Sequence, residues 1–152
     1  MLGQDACNFI NGPIINIDVH VATLTDEEYD SVGTSWLENP TKDDFRKFTF
    51  NLEMKHSESI TFQKIDIPRW KQIIDSIDRK RYWFGGGFNQ DNTGENFARS
   101  GWEFVFYSKG LENAEIKQAF ESQVLMVSWE TIEGEPIKKE FTIGRLIEFT
   151  NE

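Results

Sequence analysis

Lys47-Phe48-Thr49-Phe50-Asn51-Leu52-Glu53-Met54-Lys55 places four apolar side chains on one side of an extended chain and five polar ones on the other. Successive side chains of a strand point to opposite faces, so this alternation predicts a strand with one face in a core and the other in water. Upstream, Ile15, Ile17, Val19 and Val21 alternate with Asn16, Asp18 and His20 and predict a second such strand ending near Thr25. Downstream, His56-Ser57-Glu58-Ser59 reads as a turn, and Ile60 and Phe62 open a partner strand. The apolar phase of that partner slips by one residue at Ile65 and Ile67, which a β-bulge or a strand end near Gln63 explains.

Helical spacing follows. Asp66 and Pro68 supply helix-start chemistry, and Trp70, Ile73, Ile74 and Ile77 share one face of a helix expected to end near Arg79-Lys80-Arg81, where positive charge suits the terminus. Tyr82-Trp83-Phe84 reads as a strand running into a flexible Gly85-Gly86-Gly87 segment, and Asn89 to Ser100 is too polar for a core. Trp102, Phe104 and Phe106 alternate with Glu103, Val105 and Tyr107 in a further strand. Leu111 to Ser122 reads as a short helix with Ile116 and Phe120 on one face, and Gln123 to Ile132 and Ile137 to Phe149 flank Glu133-Gly134-Glu135-Pro136 as a long hairpin. The order predicts an α+β fold: a mostly antiparallel sheet of about six to seven strands with two helices packed on one face. No repeat or compositional break divides residues 1–152, so a single domain is expected.

Composition narrows the function. The 152 residues carry 16 Lys+Arg against 26 Asp+Glu, a formal net charge of -10, which argues against direct nucleic-acid binding and favours a basic protein partner. The longest apolar runs, such as Val124-Leu125-Met126-Val127, fall far short of the ~20 residues a membrane-crossing helix needs. The opening Met1-Leu2-Gly3-Gln4-Asp5-Ala6-Cys7 lacks the basic and apolar regions of a secretion signal, so the cytoplasm is the expected location. The lone Cys7 cannot form an internal disulfide. Charge is also uneven. Residues 18–44 hold Asp18, Asp26, Glu27, Glu28, Asp30, Glu38, Asp43 and Asp44 against Lys42 alone, whereas Lys64, Arg69, Lys71, Arg79, Lys80 and Arg81 outweigh three carboxylates in residues 64–81.

Motifs for chemistry are sparse. Gly85-Gly86-Gly87 lacks the Lys-Ser or Lys-Thr and the glycine spacing of a phosphate loop, and a strand bend or close backbone approach is the plainer account. Asn89, Asp91 and Thr93 before Gly94 resemble the opening of a calcium loop, but its twelfth position, Ser100, offers no bidentate carboxylate. His20 and His56 fall on the polar sides of strands without the spacing of a zinc site, so no metal ligands and no cofactor are assigned. Asp18 and His20 share a face, but a triad would also need a nucleophile brought there by the fold, and a carboxylate pair drawn from Glu53, Glu103 and Glu130 would be arbitrary. No catalytic residue is assigned.

The five tryptophans could form a stacking platform, but Trp70 and Trp102 lie on apolar faces and are expected in the core, as Trp83 and Trp129 sit in predicted elements. Trp36 differs: it lies in the acidic stretch, expected to be a long loop with one helical turn, beside Leu37 and Glu38. An aromatic anchor among charges concentrates binding energy at interfaces, although it can equally pin a loop to a core. The expected partner surface is Asp26, Glu27, Glu28, Asp30, Trp36, Glu38, Asp43 and Asp44, the carboxylates steering a basic protein and standing in for a nucleic-acid backbone if that partner is a nuclease.

A small, acidic, aromatic-rich α+β chain without a catalytic motif is similar to the immunity proteins of bacterial toxin systems, which bind and neutralise a cognate toxin domain. The resemblance covers size, charge and the strand Gly101-Trp102-Glu103-Phe104-Val105-Phe106-Tyr107 and carries over no residue role. It implies a non-enzymatic, cytoplasmic toxin inhibitor. Two readings stand beside it: a sugar- or nucleotide-binding module using Trp83, Gly85, Gly86, Gly87 and Phe88, and, third, a hydrolase or a phage anti-defence inhibitor.

Overall fold

The computed structural model describes residues 12–56, 60–90 and 96–150. Its strands are β1 Ile14–Thr23, β2 Phe45–Lys55, β3 Thr61–Asp66, β4 Tyr82–Gln90, β5 Phe97–Tyr107, β6 Val124–Glu130, β7 Pro136–Thr142 and β8 Ile147–Thr150. The helices are short: α1 Asp26–Asp30, α2 Trp70–Asp75, α3 Asn113–Phe120 and α4 Ile143–Leu146, with a 3-10 turn at Lys42–Asp44. The α+β class holds, but the single sheet with two helices is corrected to two sheets, β4-β5-β2-β1-β8 and β3-β6-β7.

The alternation of β2 is realised in full: Phe48, Phe50, Leu52 and Met54 are buried, while Asn51, Glu53 and Lys55 face water. β2 is central and pairs antiparallel with β1 on one side and β5 on the other. The expected hairpin from β2 into the Ile60 strand does not form, because β3 crosses to the second sheet and pairs with β6. The phase slip is real. The β3–β6 register shifts between Thr61 and Lys64, and Phe62, at φ 55° and 63% exposed, is turned out of the core. Ser57–Ser59 of the expected turn, and Cys7, lie outside the described residues.

Helix α2 ends at Asp75 with Ser76 as its cap, before Arg79-Lys80-Arg81, since the Asp75 carboxylate accepts the backbone N–H groups of Arg81 and Tyr82 and turns the chain into β4. The predicted hairpin forms between β6 and β7 but stops at Thr142; α4 then carries the chain to β8, which pairs parallel with β1. Arg81 is only 4% exposed. Its guanidinium donates to both carboxylate oxygens of Asp78 and to the backbone carbonyls of Tyr107 and Lys109, tying the start of β4 to the end of β5.

The main core joins the inner face of the first sheet to Ile65, Leu125, Val127 and Trp129 of the second and to Trp70, Ile73, Ile74, Ile116 and Phe120 of α2 and α3. Trp102, expected in this core, is half-buried at its margin. No helix among the described residues is long and apolar enough to cross a membrane.

Candidate functional site

The site begins with a parity violation. Phe45 has the same strand parity as Lys47, Thr49 and Asn51, so it points to the outer face of the first sheet, yet it is completely buried. Val105 and Tyr107 share that face on β5. These residues collect a second apolar cluster, with Leu24 and Val32 buried and Tyr29, Leu37 and Trp83 packed against them. The acidic stretch, expected as a long loop with one helical turn, has that turn in α1, and its apolar residues Tyr29, Val32 and Leu37 dock it over one end of the outer sheet face.

Local chemistry shapes this segment. The Thr25 hydroxyl accepts the Glu28 N–H, and Glu28 Oε1 accepts the Thr25 N–H at 2.8 Å, a reciprocal cap that starts α1. The other oxygen of Glu28 accepts from the Lys47 ammonium on β2, so one carboxylate both begins the helix and fastens it to the sheet. Lys42 pairs with Asp26 at 2.9 Å, and Asp44 accepts the Thr41 N–H at 3.0 Å. Glu28 and Asp44, both half-buried, thus have structural work, whereas Asp26, though paired with Lys42, keeps its side chain 91% exposed. Glu27, Asp30, Glu38 and Asp43 are exposed, and Asp43 adds to the field that holds the Lys42 ammonium above its ordinary value, after the larger effect of Asp26.

Trp36 and Trp83, assigned separately to the acidic surface and to the ligand alternative, meet. Their rings stack with centroids 5.1 Å apart at 28°. Trp83 is braced beneath: its indole N–H donates to the Gly33 carbonyl at 3.0 Å, its ring meets Phe45 edge-on at 5.2 Å, and Tyr107 lies 5.8 Å away. Trp36 remains 69% exposed on top of this stack. Arg79 and Arg81 cover the Tyr107 ring at 5.3 and 5.7 Å, so two cations of the basic segment are spent on packing.

The other candidate residues separate. Gly85 and Gly87 lie within a continuous strand, not a flexible segment, and sit against Phe104 and Trp102, where a Cβ would fall 2.4 Å and 2.5 Å from those side chains. Gly86, Gly87 and Phe88 line a shallow outer-face depression of about 250 Å³ with Thr49, Asn51, Gly101, Trp102 and Glu103, and Trp83 is not among its walls. Small-molecule sites usually enclose roughly 300–1,000 Å³ and bury most of the ligand. His20 lies 3.7 Å from Glu148, while His56 is buried at 4% exposure, correcting its expected surface position. Asp18 shares the outer face with His20, at register positions opposite Asn51 and Thr49. Asp91 and Thr93 of the calcium-like loop lie outside the described residues; among those described, no three His, Cys, Asp or Glu side chains gather as a metal site.

Glu28 yields a pH prediction. Burial pushes its carboxyl up, but the hydrogen bonds from Lys47 and Thr25 and the nearby Lys47 charge outweigh burial and hold it below the ordinary 4.5. A carboxyl lowered on folding stabilises the fold above its unfolded value, and that contribution is lost as pH falls through the lowered one. Glu28→Gln should cost about 1 kcal/mol at pH 7. Urea unfolding should show this difference shrinking toward pH 3; a constant difference would remove Glu28 as the fastening group.

Compared with family models, curated proteins and solved structures, the chain matches none.

Proposed function

We propose that this chain is a non-enzymatic binding protein that neutralises a basic protein partner, in the manner of a cytoplasmic bacterial immunity protein acting on a toxin domain. One observation carries the reading: a tryptophan 69% exposed, stacked on a second tryptophan that is itself braced, within a segment whose exposed carboxylates are Asp26, Glu27, Asp30, Glu38 and Asp43. Exposing a large aromatic ring forfeits burial that folding would otherwise gain, and a preorganised ring loses little conformational freedom on binding. Trp is also the residue type most enriched at interface hot spots, where truncation costs about 2 kcal/mol or more. The carboxylates around it supply long-range attraction for a cationic surface.

The test is capture from a lysate of the source organism on the immobilised chain, with Trp36→Ala as a parallel bait. A basic protein held at low salt by the wild type, eluted by ~1 M salt and held at least about tenfold less by Trp36→Ala supports the reading. Its toxic activity should be quenched at one equivalent of this chain. Identical capture by both baits would refute the assigned surface. The sugar- or nucleotide-module reading would place such a ligand in the outer-face depression and predicts tryptophan quenching by it.

A further inference from the structure

Among the described residues, the four sheet edges are not alike. An open edge presents unpaired backbone groups to other chains, and proteins guard edges with charge, proline, bulges or brevity. β7 carries Pro136, Lys138, Lys139 and Glu140; β3 carries a register shift with Lys64 and Asp66; β8 has four residues and includes Glu148. β4, the remaining edge, is nine residues long and reads Tyr82-Trp83-Phe84-Gly85-Gly86-Gly87-Phe88-Asn89-Gln90; its register with β5 shifts between Tyr82 and Phe84, and the seven residues Phe84 to Gln90 then run on without a further break. It has no charge and no proline in a chain that is 28% charged.

The run Phe84-Gly85-Gly86-Gly87-Phe88 is also a palindrome centred on Gly86. In an antiparallel pairing about a two-fold axis at Gly86, Phe84 of one copy lies opposite Phe88 of the other, and the reverse. Opposite Val105, Glu103 and Gly101 on β5, Phe84, Gly86 and Phe88 share the outer face, and each phenylalanine is 42% exposed. Two cross-strand aromatic pairs would form at once, the self-complementarity a two-fold interface requires. Phe88 is already placed, its ring close against Gly101 with Arg99 over it at 5.7 Å.

The geometry points to a second copy of this chain as the occupant of the β4 edge, pairing antiparallel at Gly86 to extend the five-stranded sheet across a two-fold axis. This interface stands independently of the toxin-partner reading, and salt separates the two. Each copy carries a net charge of -10 while the paired strands are neutral, so added salt strengthens this dimer, whereas it weakens binding of a basic protein.

Sedimentation velocity over a concentration series at 0.05 and 0.5 M salt tests it. The wild type should reach twice the 17.7 kDa chain mass, more readily at the higher salt. A Cβ at Gly86 meets nothing within 4 Å, so Gly86→Ala and Gly86→Glu leave the protomer intact, which circular dichroism checks. Gly86→Ala should still dimerise. Gly86→Glu sets two carboxylates face to face, each beside its own Glu103, and should weaken dimerisation by about tenfold or more. Mixing Gly86→Glu with Gly86→Lys should restore a mixed dimer. A wild type monomeric at every concentration and salt, or a Gly86→Glu that dimerises like the wild type, overturns the proposal.

Discussion

Phe48→Ala should lower the unfolding free energy by about 3–5 kcal/mol, a large share of the roughly 5–15 kcal/mol typical of a domain. Phe48 is completely buried, and its ring stacks nearly parallel to Phe120 at 4.7 Å and against Phe104 at 4.8 Å, with Trp70 at 5.0 Å. One ring therefore joins β2, β5, α2 and α3. Its removal leaves a cavity walled by large aromatics that cannot collapse cheaply, so the loss should exceed the transfer term alone. Urea unfolding should show a lower midpoint at unchanged slope. Phe62→Ala, at the exposed register shift, should stay within about 0.5 kcal/mol. A cost below about 1 kcal/mol for Phe48→Ala would contradict the assigned core.

Gly87→Ala should cost about 2–4 kcal/mol although it adds one methyl group. A Cβ at residue 87 would lie 2.2 Å from the Gly101 carbonyl oxygen and 2.5 Å from the Trp102 ring, and backbone is not free to yield. β4 would have to lift from β5, loosening Trp83 and with it the support under Trp36. Gly86→Ala, one residue away, meets open space and should be nearly neutral. Equal effects at the two positions, read by thermal unfolding and Trp fluorescence, would contradict the close approach of β4 to β5.

The strands that alternate cleanly were legible because a two-residue period reports which face a side chain takes. That period does not report which strand lies alongside. Chain proximity alone would place β3 beside β2, whereas Ile65 joins Leu125 and Val127 in the second half of the core. The helix over Trp70, Ile73 and Ile74 was legible from its spacing, but its early stop was not, because it depends on one Asp75 carboxylate accepting two backbone N–H groups. The Trp36–Trp83 stack joins residues far apart in sequence, and no local pattern encodes it. Phe45 did carry a signal: an apolar residue at a water-facing parity, repeated by Val105 and Tyr107, marks a second cluster on the outer face.

The proposed contact surface for a basic partner is Trp36 with the exposed carboxylates of its segment. Its most direct test is the association and dissociation rate of a captured partner against the wild type, Trp36→Ala and the combined Glu27→Lys, Asp30→Lys, Glu38→Lys variant, at 0.05 and 0.5 M salt. Charge reversal should slow association by about tenfold or more at low salt and much less at high salt, and Trp36→Ala should chiefly speed dissociation. Rates unchanged by both variants would place the contact elsewhere on the molecule.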